Sequence, residues 1–258
     1  MTVLHPIRRA FSMPFGLPLG IPGAAFPFVC GAAAIRLLKI RLGLYDDLSR
    51  LASEYQTDKG VTTYPFHGYT RHYHELFKGV RSKPIVILEI GLKRKRDRAG
   101  SQAMCPSLQM WADYFPHAQV LGLDLDDFSE VRLPRTKIFC GDQGNPEDLL
   151  RVVADYPRLD FVIDDGSHAS FHQQVSLRTL WPYLAPGGIY IIEDLDVQPS
   201  RLEAALPPCR KTRDLLRDPS SLSQIVDGVA EVRLFDSPIR GARATMGCLI
   251  KGAAEPAV

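Results

Sequence analysis

The sequence predicts an α/β protein built on a doubly wound sheet with helices on both faces. Two observations carry this. Between residues 84 and 195, short apolar runs alternate with segments whose apolar residues recur at helical spacing, the grammar of βαβ units. The acids of these runs fall at their carboxyl ends, the edge at which open α/β sheets bind ligands.

Residues 1–44 read as an apolar arm, and residues 45–258 as the folded domain. Residues 10–35 carry no charge and follow Arg8 and Arg9, as in a signal peptide or membrane segment. Pro14, Pro18, Pro22 and Pro27 interrupt that stretch, and a spanning helix must find new partners for each carbonyl they free. The arm is therefore expected to pack on the protein, on a partner subunit of a homo-oligomer or on a membrane surface, with the basic stretch RLLKIRLGL at its end.

A helix follows over 45–54, with Leu48, Leu51 and Ala52 on one face. Residues 57–74 read as a polar, aromatic binding segment rather than a core element, and His67, His72 and His74 in it lack a ligand cluster that would suggest a metal. The first strong strand is PIVILEIG at 84–91, whose β-branched run suits a parallel sheet. Its closing glycine would let a backbone approach a nucleotide-like ligand, but no GxGxxG follows. A basic loop from Lys93 to Arg98 comes instead, and such runs are usually solvated faces. A helix at 107–115 places Leu108, Trp111, Ala112 and Phe115 together, and Pro116 ends it. The next strands are QVLGLDL at 119–125, closing on Asp124, and KIFCGD at 137–142, closing on Asp142 and Gln143. An acid in the position of Asp124 suits ribose hydroxyls. A helix at 146–156 starts on Pro146. Then come a strand in LDFVIDDGSH (159–168), a helix over 170–184, and a second acid-tipped strand, residues 189–192, after a Pro-Gly-Gly turn. Residues 200–223 are partly helical, and 229–235 with 248–251 form two late strands.

Length and composition fit a globular chain of 258 residues, 45% hydrophobic and 23% charged. A net charge of +2 is too mild for a nucleic-acid binder, and the basic stretch lacks interleaved aromatics for base stacking. Five scattered cysteines without a CxxC pair read as free thiols in a reducing compartment, which indicates a cytoplasmic protein, with membrane association through the arm left open.

The candidate site lies at the ends of the two strands around residues 164 and 193. Asp164 and Asp165 end one, and Glu193 and Asp194 end the other. If the strands are neighbours, Asp165, Glu193 and Asp194 share one small volume with His168. Crowded carboxylates repel unless a cation joins them, and hard oxygens suit Mg²⁺. Taken singly, each acid could instead cap a following helix.

In order along the chain, TDKG, HGY, LEIG, SLQMW, GLDL, GDQ, IDDGSH and PGGIYIIEDL resemble the macrocin and mycinamicin sugar O-methyltransferases, which are class I S-adenosylmethionine-dependent enzymes requiring a divalent cation. The resemblance spans residues 57–195, with DDGSH and IEDL its most specific part. It implies a Rossmann-like methyltransferase sheet, Mg²⁺ held by Asp165, Glu193 and Asp194, and His168 as general base. It also implies a cofactor lined by Glu89, Gly91, Asp124, Asp142 and Gln143, with Lys59 nearby and Asp164 on the same side. The acceptor would be a hydroxyl of a sugar or glycosylated secondary metabolite, as in antibiotic biosynthesis. The basic loop after Gly91 departs from the family's acidic, glycine-rich one. Two other readings stay open: a nicotinamide-dependent oxidoreductase, disfavoured by the missing GxGxxG, and a non-catalytic or membrane-attached binding protein on the same fold.

Overall fold

The structure is a computed structural model; it describes residues 46–93, 95–96, 103–238 and 245–253, together with Ile35 and Leu38. The expected arm falls outside the described residues, apart from Ile35 and Leu38, which are exposed. No helix among the described residues is long and apolar enough to cross a membrane.

A seven-stranded sheet forms the centre. Its strands are β1 (Val86–Ile90), β4 (Gln119–Asp124), β5 (Thr136–Cys140), β6 (Leu159–Asp164), β7 (Leu184–Ile192), β8 (Val229–Asp236) and β9 (Thr245–Lys251). Their order is β5-β4-β1-β6-β7-β9-β8. The first five are parallel, while β9 runs antiparallel to both β7 and β8. A two-residue ladder, β2 (Lys95–Arg96) with β3 (Ala103–Met104), stands apart.

Both faces are covered, as a parallel sheet requires. Helices α1 (Asp47–Tyr55), α2 (Thr70–Phe77) and α3 (Pro106–Tyr114) cover one face, where Leu48, Phe77 and Trp111 pack with Ile87, Val120 and Ile163. Helices α4 (Pro146–Asp155), α5 (Ser170–Leu180), α7 (Thr212–Leu216) and α8 (Pro219–Leu222) contribute to the other, where Leu149, Leu177 and Leu216 pack with Leu88, Leu121 and Val162. A short α6 (Ser200–Ala205) lies between α5 and α7 in sequence. Alternate residues of one strand enter opposite cores, the period-two rule applied to a doubly covered sheet. Helix starts obey local chemistry: the Asp46 carboxylate accepts from Ser49 N at 2.8 Å to cap α1, and Asn145 caps α4 ahead of Pro146.

Two expectations are corrected. The Pro-Gly-Gly segment is part of β7, and it coincides with a register shift opposite Leu159 and Phe161. Residues 57–74 do contribute to the core: Lys59, Tyr69 and Tyr73 are among the largest fully buried side chains, while Tyr64 stays exposed. The sequence shows a polar surface pattern there because the partners that satisfy these polar tips lie more than a hundred residues away.

Candidate active site

Strand direction reverses its progress across the sheet at β1: β4 and β5 lie to one side and β6 and β7 to the other. Ligands of open α/β sheets bind outside the strand carboxyl ends at such a switch point. A cavity of about 610 Å³ opens there. Its wall takes Gly91 from beyond β1, Asp124 from β4, Asp142 and Gln143 from beyond β5, Asp165 and His168 from beyond β6, and Asp194 from beyond β7.

The acids hold the loops as well as facing the cavity. Asp124 accepts from Leu92 N at 2.6 Å and from Asp126 N at 2.8 Å. Asp142 accepts from Gly144 N at 2.7 Å. Gln143 donates to Asp164 at 2.5 Å and accepts from Ser167 N at 3.0 Å, tying the β5 tip to the β6 tip. Gly91 has φ +84, and a Cβ there would stand 2.5 Å from the Gly166 Cα. Its missing side chain thus serves a close crossing of two strand tips, besides any ligand.

Two residues expected at the cofactor do not line the cavity. Asp164, at 1% exposure, receives Gln143 Nε2 and Ser176 Oγ, both at 2.5 Å. Burial raises its carboxyl above the usual range, against the pull of those bonds. Glu89 is fully buried and accepts from the Trp111 indole at 3.1 Å. Each is one residue out of phase with the position that would reach the cavity.

Strands β6 and β7 are neighbours, so Asp165, Glu193 and Asp194 do converge. Between them lies Lys59, which the cavity reaches. Its Nζ is 2.5 Å from Asp165 Oδ2, 2.7 Å from Glu193 Oε1 and 3.1 Å from Glu89 Oε1. Burial acts to lower the lysine pKa, but Asp165, Glu193 and Glu89 outweigh it and hold the ammonium well above its ordinary value. One ammonium sits among four carboxyl groups, with Asp194 the fourth, and burial raises the Glu89 and Glu193 carboxyls above their ordinary range against its pull.

Asp165, His168 and Asp194 each bring a ligand atom to within 4.8 Å of the others, a group able to hold a metal ion. The His168 Nε2 lies 3.8 Å from Asp194 Oδ2. Glu193 is not in this group: Oε1 is taken by Lys59 and the Tyr73 hydroxyl, while Oε2 is buried without a hydrogen-bond partner. His168 and Asp194 both have left-handed backbone, with φ 60 and 53, uncommon for residues with a Cβ and frequent at functional sites. His67, set aside in the sequence, lines the cavity with Nδ1 3.5 Å from Asp194 Oδ1. Only its place in HGY signalled it. The basic run is described at Lys93, which pairs with Asp58 at 3.0 Å; the other side chains of the run lie outside the described residues.

A sheet of this order, with its cavity at the carboxyl tips and an acidic corner beside it, defines a Rossmann-like methyltransferase fold. No family model matches the chain. It is 39% identical over 150 residues to the mycinamicin VI 2''-O-methyltransferase of Micromonospora griseorubida and 37% identical over 149 residues to the demethylmacrocin O-methyltransferase of Streptomyces fradiae. Each match covers 58% of this chain and 36% of the relative, so the chain spans little more than a third of their length. The MycE methyltransferase of the mycinamycin biosynthetic pathway, solved with Mg, SAH and mycinamycin VI, superposes with a TM-score of 0.64 at 26% identity, covering 93% of this chain and 68% of that one. The chain is thus similar, over part of their length, to macrolide and sugar O-methyltransferases, in line with the ordered motifs, and shares its fold with MycE.

Proposed function

We propose that the protein is an S-adenosylmethionine- and Mg²⁺-dependent O-methyltransferase acting on a hydroxyl of a sugar or a glycosylated small molecule. The observation that supports this above others is the meeting, at one cavity, of the β1, β4 and β5 tips with the Asp165, His168 and Asp194 donor group. The residues fit the ion. Asp165 and Asp194 offer hard oxygens, and Glu193 Oε2 is a buried carboxylate oxygen without a partner. Asp165, Glu193 and Asp194 would hold Mg²⁺, and Asp124, Asp142 and Gln143 would line the methyl donor along with Gly91 and Lys59. When bound, the ion supplies Lewis-acid polarisation and the donor an activated methyl group.

The remaining work belongs to the chain. A sugar hydroxyl must lose a proton as it attacks. His168 Nε2 receives that proton, and the Asp194 carboxylate at 3.8 Å stabilises the imidazolium that results. The cavity wall holds hydroxyl and methyl in line, and placement of this kind removes much of the barrier. A second reading has support in the same geometry: His168 lies in the donor group and would be a further ligand beside the acids. His168→Ala separates the two. As general base, its loss lowers turnover at saturating donor and leaves cation affinity intact. As ligand, its loss weakens the cation as well. Unchanged turnover would remove His168 from the chemistry. Mass spectrometry of reactions with labelled methyl donor, Mg²⁺ and glycosylated acceptors tests the whole proposal, and absence of any methylated hydroxyl across a broad panel counts against it.

A further inference from the structure

The carboxylates at the acidic corner are held from one side. Lys59 and the Tyr73 hydroxyl take Oε1 of Glu193, and Oε2 is left buried and unpartnered. The Tyr69 hydroxyl does more for Asp194. It donates to Oδ1 at 2.7 Å and accepts the Asp194 backbone N–H at 3.3 Å, so one oxygen atom grips both ends of the residue. Oδ2 is left turned toward His168. This double grip falls on a residue whose left-handed backbone persists only where its surroundings over-determine it. Tyr69 is fully buried, so water does not stand in for either contact.

We propose that Tyr69 is a positioning residue for the divalent cation: its hydroxyl fixes the backbone and one carboxylate oxygen of Asp194, so that the other oxygen is presented to the ion. This rests on the metal reading above. The Tyr73 hydroxyl does the corresponding work on Glu193, so the 69–73 stretch is an outer support for two of the acids. Partners that orient metal-ligating carboxylates in this way are typically worth 10–100-fold in metal affinity.

Mn²⁺ binding, read by electron paramagnetic resonance on the full chain without methyl donor, tests this. Tyr69→Phe keeps the ring and its edge contact with His67 while removing the hydroxyl. The expected result is a dissociation constant for Mn²⁺ raised roughly tenfold or more, with the metal-free melting curve still a single folded transition. Tyr55→Phe is the control, because Tyr55 donates to Asp113. Tyr69→Phe binding Mn²⁺ as tightly as wild type overturns the positioning role alone, and so does an equal loss in the control. No Mn²⁺ binding by wild type overturns the metal reading and this inference with it. Should Tyr69→Phe fail to fold, Tyr73→Phe is read by the same measurement, since Glu193 keeps its Lys59 contact there.

Discussion

Replacing Lys59 by methionine should destabilise the metal-free protein strongly, and a divalent cation should restore part of the loss. Methionine keeps the length and apolar stem of the lysine but removes the charge. Lys59 is 1% exposed and its ammonium lies within 3.1 Å of three carboxylates, one on β1 and one just past each of β6 and β7. A pair of ions buried this deeply has little net worth against an apolar replacement of both. Removing one partner is different, because it leaves uncompensated charge in the interior and costs about 3–5 kcal/mol. In a domain of this size each kcal/mol moves the melting midpoint by roughly 2–4 °C, so the expected fall is about 6–20 °C. Differential scanning calorimetry with EDTA and then with Mg²⁺ measures it. An ion at a hundred times its dissociation constant adds about 2.7 kcal/mol to whichever form binds it. The variant, now lacking its internal cation, should gain more from Mg²⁺ than wild type does. A midpoint lowered by less than about 2 °C, under one kcal/mol on that scale, would refute the claim that Lys59 neutralises these acids.

Other perturbations reach separate parts of the same structure. His168→Ala is expected to lower turnover by roughly 10²–10⁴-fold at saturating donor, the usual range for a lost general base, as measured by single-turnover methyl transfer. Exhaustive chelation should abolish transfer and added Mg²⁺ should restore it; full activity in EDTA would discard the ion. Asp164→Ala removes the short-range acceptor of the Gln143 amide and the Ser176 hydroxyl, leaving them their weaker contacts with each other and with the α5 backbone, and should cost about 1–3 kcal/mol in urea unfolding. Gly91→Ala places a Cβ against the Gly166 backbone at positive φ, and should lose more than about 1 kcal/mol, with any stabilisation showing that the two tips can part.

The strands were legible because a parallel sheet covered on both faces demands contiguous apolar residues, and runs such as FVI in β6 and IYII in β7 satisfy that demand locally. Their adjacency stood in the sequence only as a condition; the β6–β7 pairing meets it, and the convergence of Asp165 with Glu193 and Asp194 follows. What stayed hidden depended on phase or on distance along the chain. Asp164 and Asp165 are adjacent acids, but the first belongs to the strand and turns toward Ser176 on α5, while the second lies past the strand end at the cavity. Glu89 likewise turns under Trp111 on α3. Nothing in a single sequence assigns such phases at a strand tip. Lys59, Tyr69 and Tyr73 looked like surface residues because local pattern cannot register partners 106 to 134 positions away.

The left-handed backbone of His168 and Asp194 has an evolutionary consequence. Each such residue holds of order 1–3 kcal/mol that glycine would release. A thermostability screen run without selection for turnover should therefore drift toward glycine at 168 and 194, giving sturdier proteins stripped of the imidazole and the carboxylate. Of the five described non-glycine residues at positive φ, these two are the ones a working lineage must leave alone.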